Sequence, residues 1–247
     1  MPDVPALTGS ESTRLLALWE RGLGRADGTR ADVMLQMYGG MDAAPRTLGE
    51  RNLRLLELHA RLFGQQLDLL SHCPSCGAAA EFSLDSRALA ARMPLVCEGH
   101  SHEVEIEGHL IEFRLPDATD LVDASQVETE DAFVARLIER CVLGCTRDGA
   151  RVAASDVPEP VLDRLSRHME TLDPAARVSF AVECPHCSAG WDARLDVDQL
   201  VWGKVQAAAE RLLLEVDSLA RAYGWTEREV LELDPLRRAA YLQLVNG

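Results

Sequence analysis

The sequence predicts a mainly helical α+β protein in which two distant hairpins meet. Two observations carry this prediction. Stretches rich in Leu, Ala, Arg and Glu, with apolar residues at helical spacing, lie near both ends of the chain. Between them, two Cys-Pro-x-Cys motifs stand far apart, each flanked by short segments suited to strands. With 247 residues, the chain is long enough for one large or two small domains.

The N-terminal segment, residues 1–65, is predicted to be helical. Its helices are expected at residues 10–21, capped by Ser10 or Ser12; at 31–38, ended by Gly39-Gly40; and at 48–63, ended by Gly64. Residues 22–31 are rich in Gly, Arg and Asp and are predicted to form a loop. The helix at 48–63 has the clearest pattern, because its leucines line one side.

The C-terminal segment, residues 201–247, is also predicted to be helical. A long helix is expected at 197–223, broken or kinked near Gly203 and capped by Gly224; Thr226 and Glu229 fit a capping box; and Asp234-Pro235 starts a last helix. Three aromatic residues lie on or beside these helices, Tyr223, Trp225 and Tyr241. Internal packing and a protein-docking surface are both open interpretations for them.

The two cysteine motifs belong to an internal repeat. Cys73-Pro-Ser-Cys76 and Cys184-Pro-His-Cys187 are offset by 111 residues, and the Leu-Asp pairs at 84–85 and 195–196 keep the same offset. Strands are predicted before the motifs at 67–71 and 178–183, and after them at 81–84 and 192–195. The repeat therefore predicts two copies of one hairpin, each with a CxxC knuckle at its tip.

Four cysteines in two tight turns predict a metal site of closed form. Cys73, Cys76, Cys184 and Cys187 would give a tetrahedral shell of thiolates, which is typical of a structural zinc ion. This predicts a split zinc ribbon formed by residues 66–96 and 176–200, with one zinc ion tying together the ends of the 77–183 insertion. A redox pair, two metal-free pairs and a catalytic zinc are the disfavoured alternatives.

Other cysteines and histidines have weaker patterns. Cys97, His100 and His102 form an imperfect second cluster with no fourth ligand nearby in sequence, so whether they bind another metal stays open. Cys141 and Cys145 have the spacing of one helical turn and are expected to be small core residues. His72 and His186 flank the four ligands and are expected to be solvent-facing turn residues.

The segment between the knuckles, residues 97–175, is predicted to be an acidic inserted sub-domain. A β-hairpin is expected at 103–115 around Gly108-His109, followed by helices at 130–143 and 160–172. Between Glu98 and Ala135 there are eleven acidic residues and one basic residue, Arg114, which forms either a solvated face or a docking surface. Asp117, Asp120 and Asp123 are expected to be an acidic helix cap, with a divalent-cation site as the alternative.

Composition narrows the function classes. The net charge of −15 disfavours binding to nucleic acids and to anionic membranes, and it favours a basic or neutral protein partner. The sequence has no Gly-rich phosphate loop, nucleophile elbow or HExxH motif, so no enzymatic activity is predicted. The first residues do not have the pattern of a signal peptide, and two CxxC pairs suit a reducing compartment, so a cytoplasmic location is expected.

Three stretches carry a resemblance to a known family. They are LLALWERGLG at 15–24, ERNLRLLELHARLFG at 50–64 running into the first knuckle, and EVDSLARAYGWTEREVLELDPLRRAAYL at 215–242. These resemble proteins encoded beside contractile phage tails and phage-tail-like injection systems and, more distantly, the baseplate hub assembly chaperones of T-even phages. The family's zinc knuckles correspond to the four cysteines at 73, 76, 184 and 187.

The resemblance implies a non-enzymatic assembly factor or chaperone that binds baseplate, hub or tail proteins. Such a factor would act in the cytoplasm of a bacterial or infected cell, with or without remaining in the particle. The alternative function is a zinc-ribbon module in transcription or RNA handling, which clustered Lys and Arg near the knuckles would support; here the nearby arginines are scattered among acids. An enzyme in the acidic insertion is a third hypothesis, and it rests on no motif.

Overall fold

The computed structural model describes residues 8–25, 27–38, 47–93, 101–124, 126–127 and 129–246. Within them the protein is a mixed helix and strand structure, which confirms the α+β class. The predicted helix stop at Gly39-Gly40 lies outside the described residues, as do two members of the proposed second metal cluster, Cys97 and His100.

The helices are α1 (Gly9–Gly22), α2 (Asp27–Tyr38), α3 (Leu48–Phe63), α4 (Ser86–Ala91), α5 (Ala118–Ala124), α6 (Glu130–Cys141), α7 (Glu159–Leu172), α8 (Val197–Tyr223), α9 (Glu227–Glu232) and α10 (Pro235–Asn246). The strands are β1 (Gln66–His72), β2 (Ala79–Asp85), β3 (His102–Ile106), β4 (His109–Phe113), β5 (Val142–Arg147), β6 (Ala150–Arg151), β7 (Val178–Glu183) and β8 (Gly190–Leu195). No helix in the described part of the chain combines the length and the apolar character needed to cross a bilayer.

The N-terminal helices follow the prediction with two corrections. Thr8, not Ser10 or Ser12, caps α1: its hydroxyl and Glu11 form the capping box. Helix α2 begins at Asp27, so the predicted loop at 22–31 is wrong over its second half. Ala31 and Met34 are fully buried, and their packing outweighs the loop-like composition before them.

Each cysteine motif joins the two strands of an antiparallel hairpin. Strand β1 pairs with β2 in a register that sets His72 opposite Ala79, and β7 pairs with β8 in a register that sets Glu183 opposite Gly190. The repeated Asp caps the helix that follows each hairpin. Asp85 accepts from the Arg87 and Ala88 amides of α4, and Asp196 accepts from the Gln199 amide of α8. The repeat thus covers a hairpin and the start of a helix.

The insertion contains a four-stranded antiparallel sheet in the order β3-β4-β5-β6. The predicted hairpin is confirmed as β3-β4, with Glu107 and Gly108 in the turn at φ of 51° and 75°. The prediction of a helix over 130–143 is wrong at its end, because α6 stops at Cys141 and the chain continues as β5. Consequently Cys141 and Cys145 lie on a helix end and a strand, and both are buried.

Two hydrophobic clusters organise the described residues. One gathers α1, α2, α3, the bases of both hairpins and the first two-thirds of α8, with Leu15, Leu55, Leu67 and Val205 fully buried. The other lies entirely within the insertion, where α7 packs against β3, β4 and β5 around Ile111, Phe113, Val161 and Leu165. The two ends of the chain therefore share a core to which residues 97–175, as far as the structure describes them, contribute Ala175 alone.

Helix α8 is the longest element and crosses the first cluster. It runs from Val197 to Tyr223 without a break at Gly203, and Gly224 ends it in the left-handed conformation at φ of 70°. The predicted capping box of Thr226 and Glu229 starts α9. Helix α10 then packs back against α8.

Candidate metal centre

The two knuckles have the same backbone hydrogen bonds. In the first, the Gly77 amide donates to the Cys73 carbonyl at 2.8 Å; in the second, the Ser188 amide donates to the Cys184 carbonyl at 3.0 Å. Gly77 and Ser188 occupy matching positions, and both have positive φ, of 73° and 56°. A serine held in this region, which normally favours glycine, indicates that the turn geometry is maintained against local strain.

The four sulfur atoms converge on one point. All four Sγ atoms lie within 4.8 Å of one another. Two close sulfur contacts cross between the knuckles: Cys73 Sγ to Cys187 Sγ is 3.7 Å and Cys76 Sγ to Cys184 Sγ is 3.6 Å. A tetrahedral ion with bonds of about 2.3 Å to sulfur would need separations of about 3.8 Å, whereas a disulfide would need about 2.05 Å. The geometry therefore fits ligation and not a disulfide.

The contacts between knuckles mean that neither hairpin holds the site by itself. Cys73 and Cys184, the first cysteine of each motif, are buried; Cys76 and Cys187, the second of each, are exposed. Such a site has an inner pair of sulfurs against the protein and an outer pair toward solvent. Opening the two hairpins would separate the four thiols into two pairs.

Crowding changes how the thiols ionise. Burial acts against ionisation of Cys73, but hydrogen bonds from the Cys76 and Ser75 amides and from neighbouring thiols lower its pKa to about 6. The pKa of Cys76 is raised to about 12, because the neighbouring thiols outweigh the hydrogen bond from the Ala78 amide. One thiolate thus suppresses ionisation of another, and a bound cation would remove this repulsion.

Contacts beside the sulfurs hold the hairpins together. The Phe82 and Phe180 rings meet edge-on with centroids 6.3 Å apart. The Trp191 indole N–H donates to the Ser71 hydroxyl at 3.3 Å. These three aromatic residues come from β2, β7 and β8, so the hairpins face each other through side chains as well as through the cysteines.

The predicted aspartate triad does not form an open cation site. Asp120 is fully buried and accepts hydrogen bonds from Arg114 at 2.6 and 2.7 Å and from Arg140 at 2.8 Å. Asp117 caps the start of α5 by accepting from the Thr119 amide at 2.8 Å. Asp123 forms an ion pair with Arg140. The acidic-cap interpretation fits Asp117, but Asp120 is the centre of an ion-pair network.

The remaining candidate ligands lie away from the four sulfurs or outside the described residues. His72 and His186 are exposed and are not part of the cluster. His102 lies on β3, where its ring is 5.5 Å from that of Phe113. Whether these residues bind a second metal stays open, since Cys97 and His100 lie outside the described residues.

Two buried polar contacts that tie α3 to the rest of the fold were not predicted from the sequence. Arg51 on α3 forms an ion pair with Asp198 on α8 at 2.8 Å, with 5% and 8% of the two side chains exposed. Asp173, at the exit of the insertion, accepts from the Gly49 amide at 2.9 Å. Asp198 sits in the first turn of a helix, where an acid is expected to be exposed, so only the fold reveals its partner.

Comparison with protein-family models, with curated proteins and with solved structures finds no match for this chain. Its strongest chemical feature is a closed set of four cysteine sulfurs, supplied in pairs by two distant hairpins.

Proposed function

We propose that this protein is a zinc-stabilised, non-enzymatic assembly factor for the baseplate or tail of a contractile, phage-like injection apparatus. The observation that carries the proposal is the four-cysteine cluster of Cys73, Cys76, Cys184 and Cys187. The cluster suits a structural ion that holds a binding protein in shape. The resemblance of the helical segments at 15–24, 50–64 and 215–242 supplies the proposed partners.

Zinc is the proposed ion because of the donor set. Four thiolates in a tetrahedron favour zinc among the common cellular metals, and they leave no position for a reacting water. The two hairpins then form a split zinc ribbon. Binding would contribute on the order of 10 kcal/mol to folding, as it does in zinc-finger peptides.

The surface of the insertion supports a protein partner. Glu103 and Glu112 lie opposite each other on the outer face of the four-stranded sheet, and Glu105 lies nearby opposite the exposed Leu110. None of the three glutamates has an ion-pair partner among the described residues. Like charges in register destabilise a sheet, and they repel a phosphate backbone. A basic protein surface would relieve this repulsion.

Metal analysis tests the zinc clamp. We expect about one zinc ion per chain in the wild-type protein. In Cys73→Ser and Cys184→Ser we expect loss of the metal together with unfolding of the core that the two chain ends share. The control is Cys145→Ala, which changes a buried cysteine outside the cluster and should retain the metal. A wild-type chain that folds without metal, measured by circular dichroism and elemental analysis, would refute the clamp.

Affinity purification tests the assembly role separately. A tagged full-length chain recovered from its native host is expected to retain baseplate, hub or tail proteins, identified by mass spectrometry. Recovery without any such protein would contradict the assembly role while leaving the zinc clamp intact. A salt-sensitive mobility shift with DNA or RNA at physiological salt would instead favour the zinc-ribbon alternative in transcription or RNA handling.

A further inference from the structure

Helix α10 presents an apolar stripe to solvent. Leu236 is 80% exposed and Leu244 is 73% exposed, and they are among the most exposed large apolar residues described. Ala240 lies between them, also exposed, at a spacing of four residues from each. Residues spaced by four fall on one side of a helix, so these side chains form a continuous row.

The opposite side of α10 is firmly anchored. Arg238 forms an ion pair with Glu215 of α8 at 2.9 Å, with 7% and 21% of the two side chains exposed. Tyr241 meets Trp225 and Tyr223 with ring centroids 4.9 and 5.5 Å apart. The aromatic residues therefore pack on one another, and this packing holds the leucine row facing outward.

We propose that the outer face of α10 binds the same face of a second copy of this chain, with the two helices antiparallel about a two-fold axis at Ala240. This inference is independent of the proposed assembly role. In this register, Leu236 of each helix meets Leu244 of the other. The same register brings Arg237 opposite Gln243, and Ala240 opposite itself, where a small side chain allows close approach.

The charge distribution of α10 favours a second copy of this chain as the molecule that binds its outer face. The chain has a net charge of −15, yet α10 contains no Asp or Glu from Pro235 to Asn246. Two acidic molecules can therefore meet here with little local repulsion. Arg237 lies near the start of the helix and has no ion-pair partner among the described residues, and the last turn of α10 has no basic residue.

Antiparallel pairing would stabilise two unfavourable charge placements in α10: the unpaired Arg237 near its start and the lack of a basic residue in its last turn. A positive charge near a helix N-terminus is unfavourable, whereas near a C-terminus it is favourable. Each Arg237 would lie beside the C-terminal carbonyl groups of the partner helix and beside its Gln243 side-chain oxygen. The face is thus complementary to itself in shape and in charge.

Sedimentation of the full-length protein over a range of concentrations tests the pairing. The weight-average mass is expected to rise from 27.1 kDa toward twice that value as concentration increases. Leu244→Arg is expected to weaken dimerisation by about tenfold or more, because both copies lose an apolar contact and gain a buried charge. Its matched control is Leu110→Arg, an exposed leucine on β4, which should leave dimerisation unchanged.

A disulfide at the proposed axis gives a second measurement that does not disturb the leucines. Under mild oxidation, Ala240→Cys should form a reducible covalent dimer beyond the wild-type background, whereas Ala207→Cys, on an exposed face of α8, should not. A chain that stays monomeric at every concentration would overturn the proposal. So would a dimer that persists in Leu244→Arg, or a folded Ala240→Cys protein that does not cross-link.

Discussion

Asp120 is a buried charge held by two arginines. Its side chain is fully inaccessible, and it joins Arg114 beside β4 to Arg140 on α6. Burial by itself would raise the pKa of Asp120, but hydrogen bonds from Arg114, the Asp117 amide and Arg140 outweigh burial and hold the pKa below its usual range. A lowered folded-state pKa adds stability above the unfolded-state value of about 4, so this contribution is complete at neutral pH.

Replacing the Asp120 carboxylate should therefore strongly destabilise the fold. Asp120→Asn removes the buried carboxylate between two guanidinium groups and leaves them only the more exposed Asp117 and Asp123 as counter-charges. It is expected to reduce the free energy of unfolding by about 2–4 kcal/mol. The matched control is Asp123→Asn, whose side chain is 43% exposed and pairs with Arg140; its loss should be below about 1 kcal/mol. Urea denaturation at pH 7 measures both, and equal losses would contradict the buried-network interpretation.

His59 makes the first hydrophobic cluster sensitive to acid. It is fully buried on α3, and burial, with a smaller effect from Lys204 of α8, lowers its pKa; Asp68 of β1 acts in the opposite direction. The unfolded chain therefore takes up this proton first as the pH falls. Stability from a neutral His59 is complete above an unfolded pKa of about 6.5 and is lost as the pH falls toward the lower folded-state value.

The change His59→Leu should reduce this dependence. Between the folded and unfolded pKa values of His59, the free energy of unfolding of the wild type is expected to fall by about 1.4 kcal/mol for each unit that the pH falls. The variant should lack this contribution. The measurement is the difference in unfolding free energy between the two proteins from pH 8 to pH 5, since thiol protonation at the cluster affects both alike. A difference that does not change with pH would contradict the assignment.

At the scale of elements, alanine substitutions at two helical glycines are expected to change stability in opposite directions. Gly49 lies in the first turn of α3, where a Cβ atom would collide with the Asp173 carboxylate; Gly203 lies within α8, where a Cβ atom would meet nothing within 4 Å. Gly49→Ala should destabilise by about 1–3 kcal/mol because it displaces Asp173 from the helix start. Gly203→Ala should stabilise by up to about 1 kcal/mol through helix propensity.

Thermal unfolding of the two alanine variants is a matched test of those contacts. The substitution is the same, and both sites are helical, so only the surroundings differ. Stabilisation of both variants would mean that Asp173 does not occupy the start of α3. Destabilisation of both would mean that α8 is more tightly surrounded at Gly203 than the structure describes.

The predicted elements succeed or fail for local reasons. Helix α3 is predicted to the residue because its leucine spacing and its Gly64 stop agree. Strand β5 is missed because Val142 to Cys145 continues the apolar character of α6. Its pairing is long-range, with Ile111 of β4 opposite Cys145. A strand that depends on a distant partner leaves little signal in its own sequence.

At the scale of the whole molecule, the sequence predicts the repeat but not the core. The 111-residue offset predicted the four sulfurs that meet, because two copies of one motif imply one geometry. The sharing of one core by both chain ends was not predicted. It depends on side chains such as Leu15 and Val205 meeting across the chain, for which helical periodicity specifies a buried face but no partner.

Removal of the proposed zinc ion by chelation should destabilise the first hydrophobic cluster and leave the second one folded. A strong zinc chelator is expected to remove protection from amide hydrogen exchange in β1 and β7, which the proposed ion holds together, while β4 amides keep theirs within the insertion. The insertion has its own apolar centre around Phe113 and Leu165, so it does not depend on the ion directly. Simultaneous loss of protection everywhere would show that the clusters unfold as one unit.

The crossed arrangement of the sulfurs has a consequence for synthesis of the chain. Cys76 and its contact Cys184 are 108 positions apart. A ribosome adds about 5–20 residues per second, so the first pair of thiols waits roughly 5–20 seconds before the second pair is made. In that interval the nascent chain carries half of the proposed ligand set, open to oxidation or to capture by a competing soft metal. The speed of translation through the insertion therefore sets how long each new molecule is exposed to misloading.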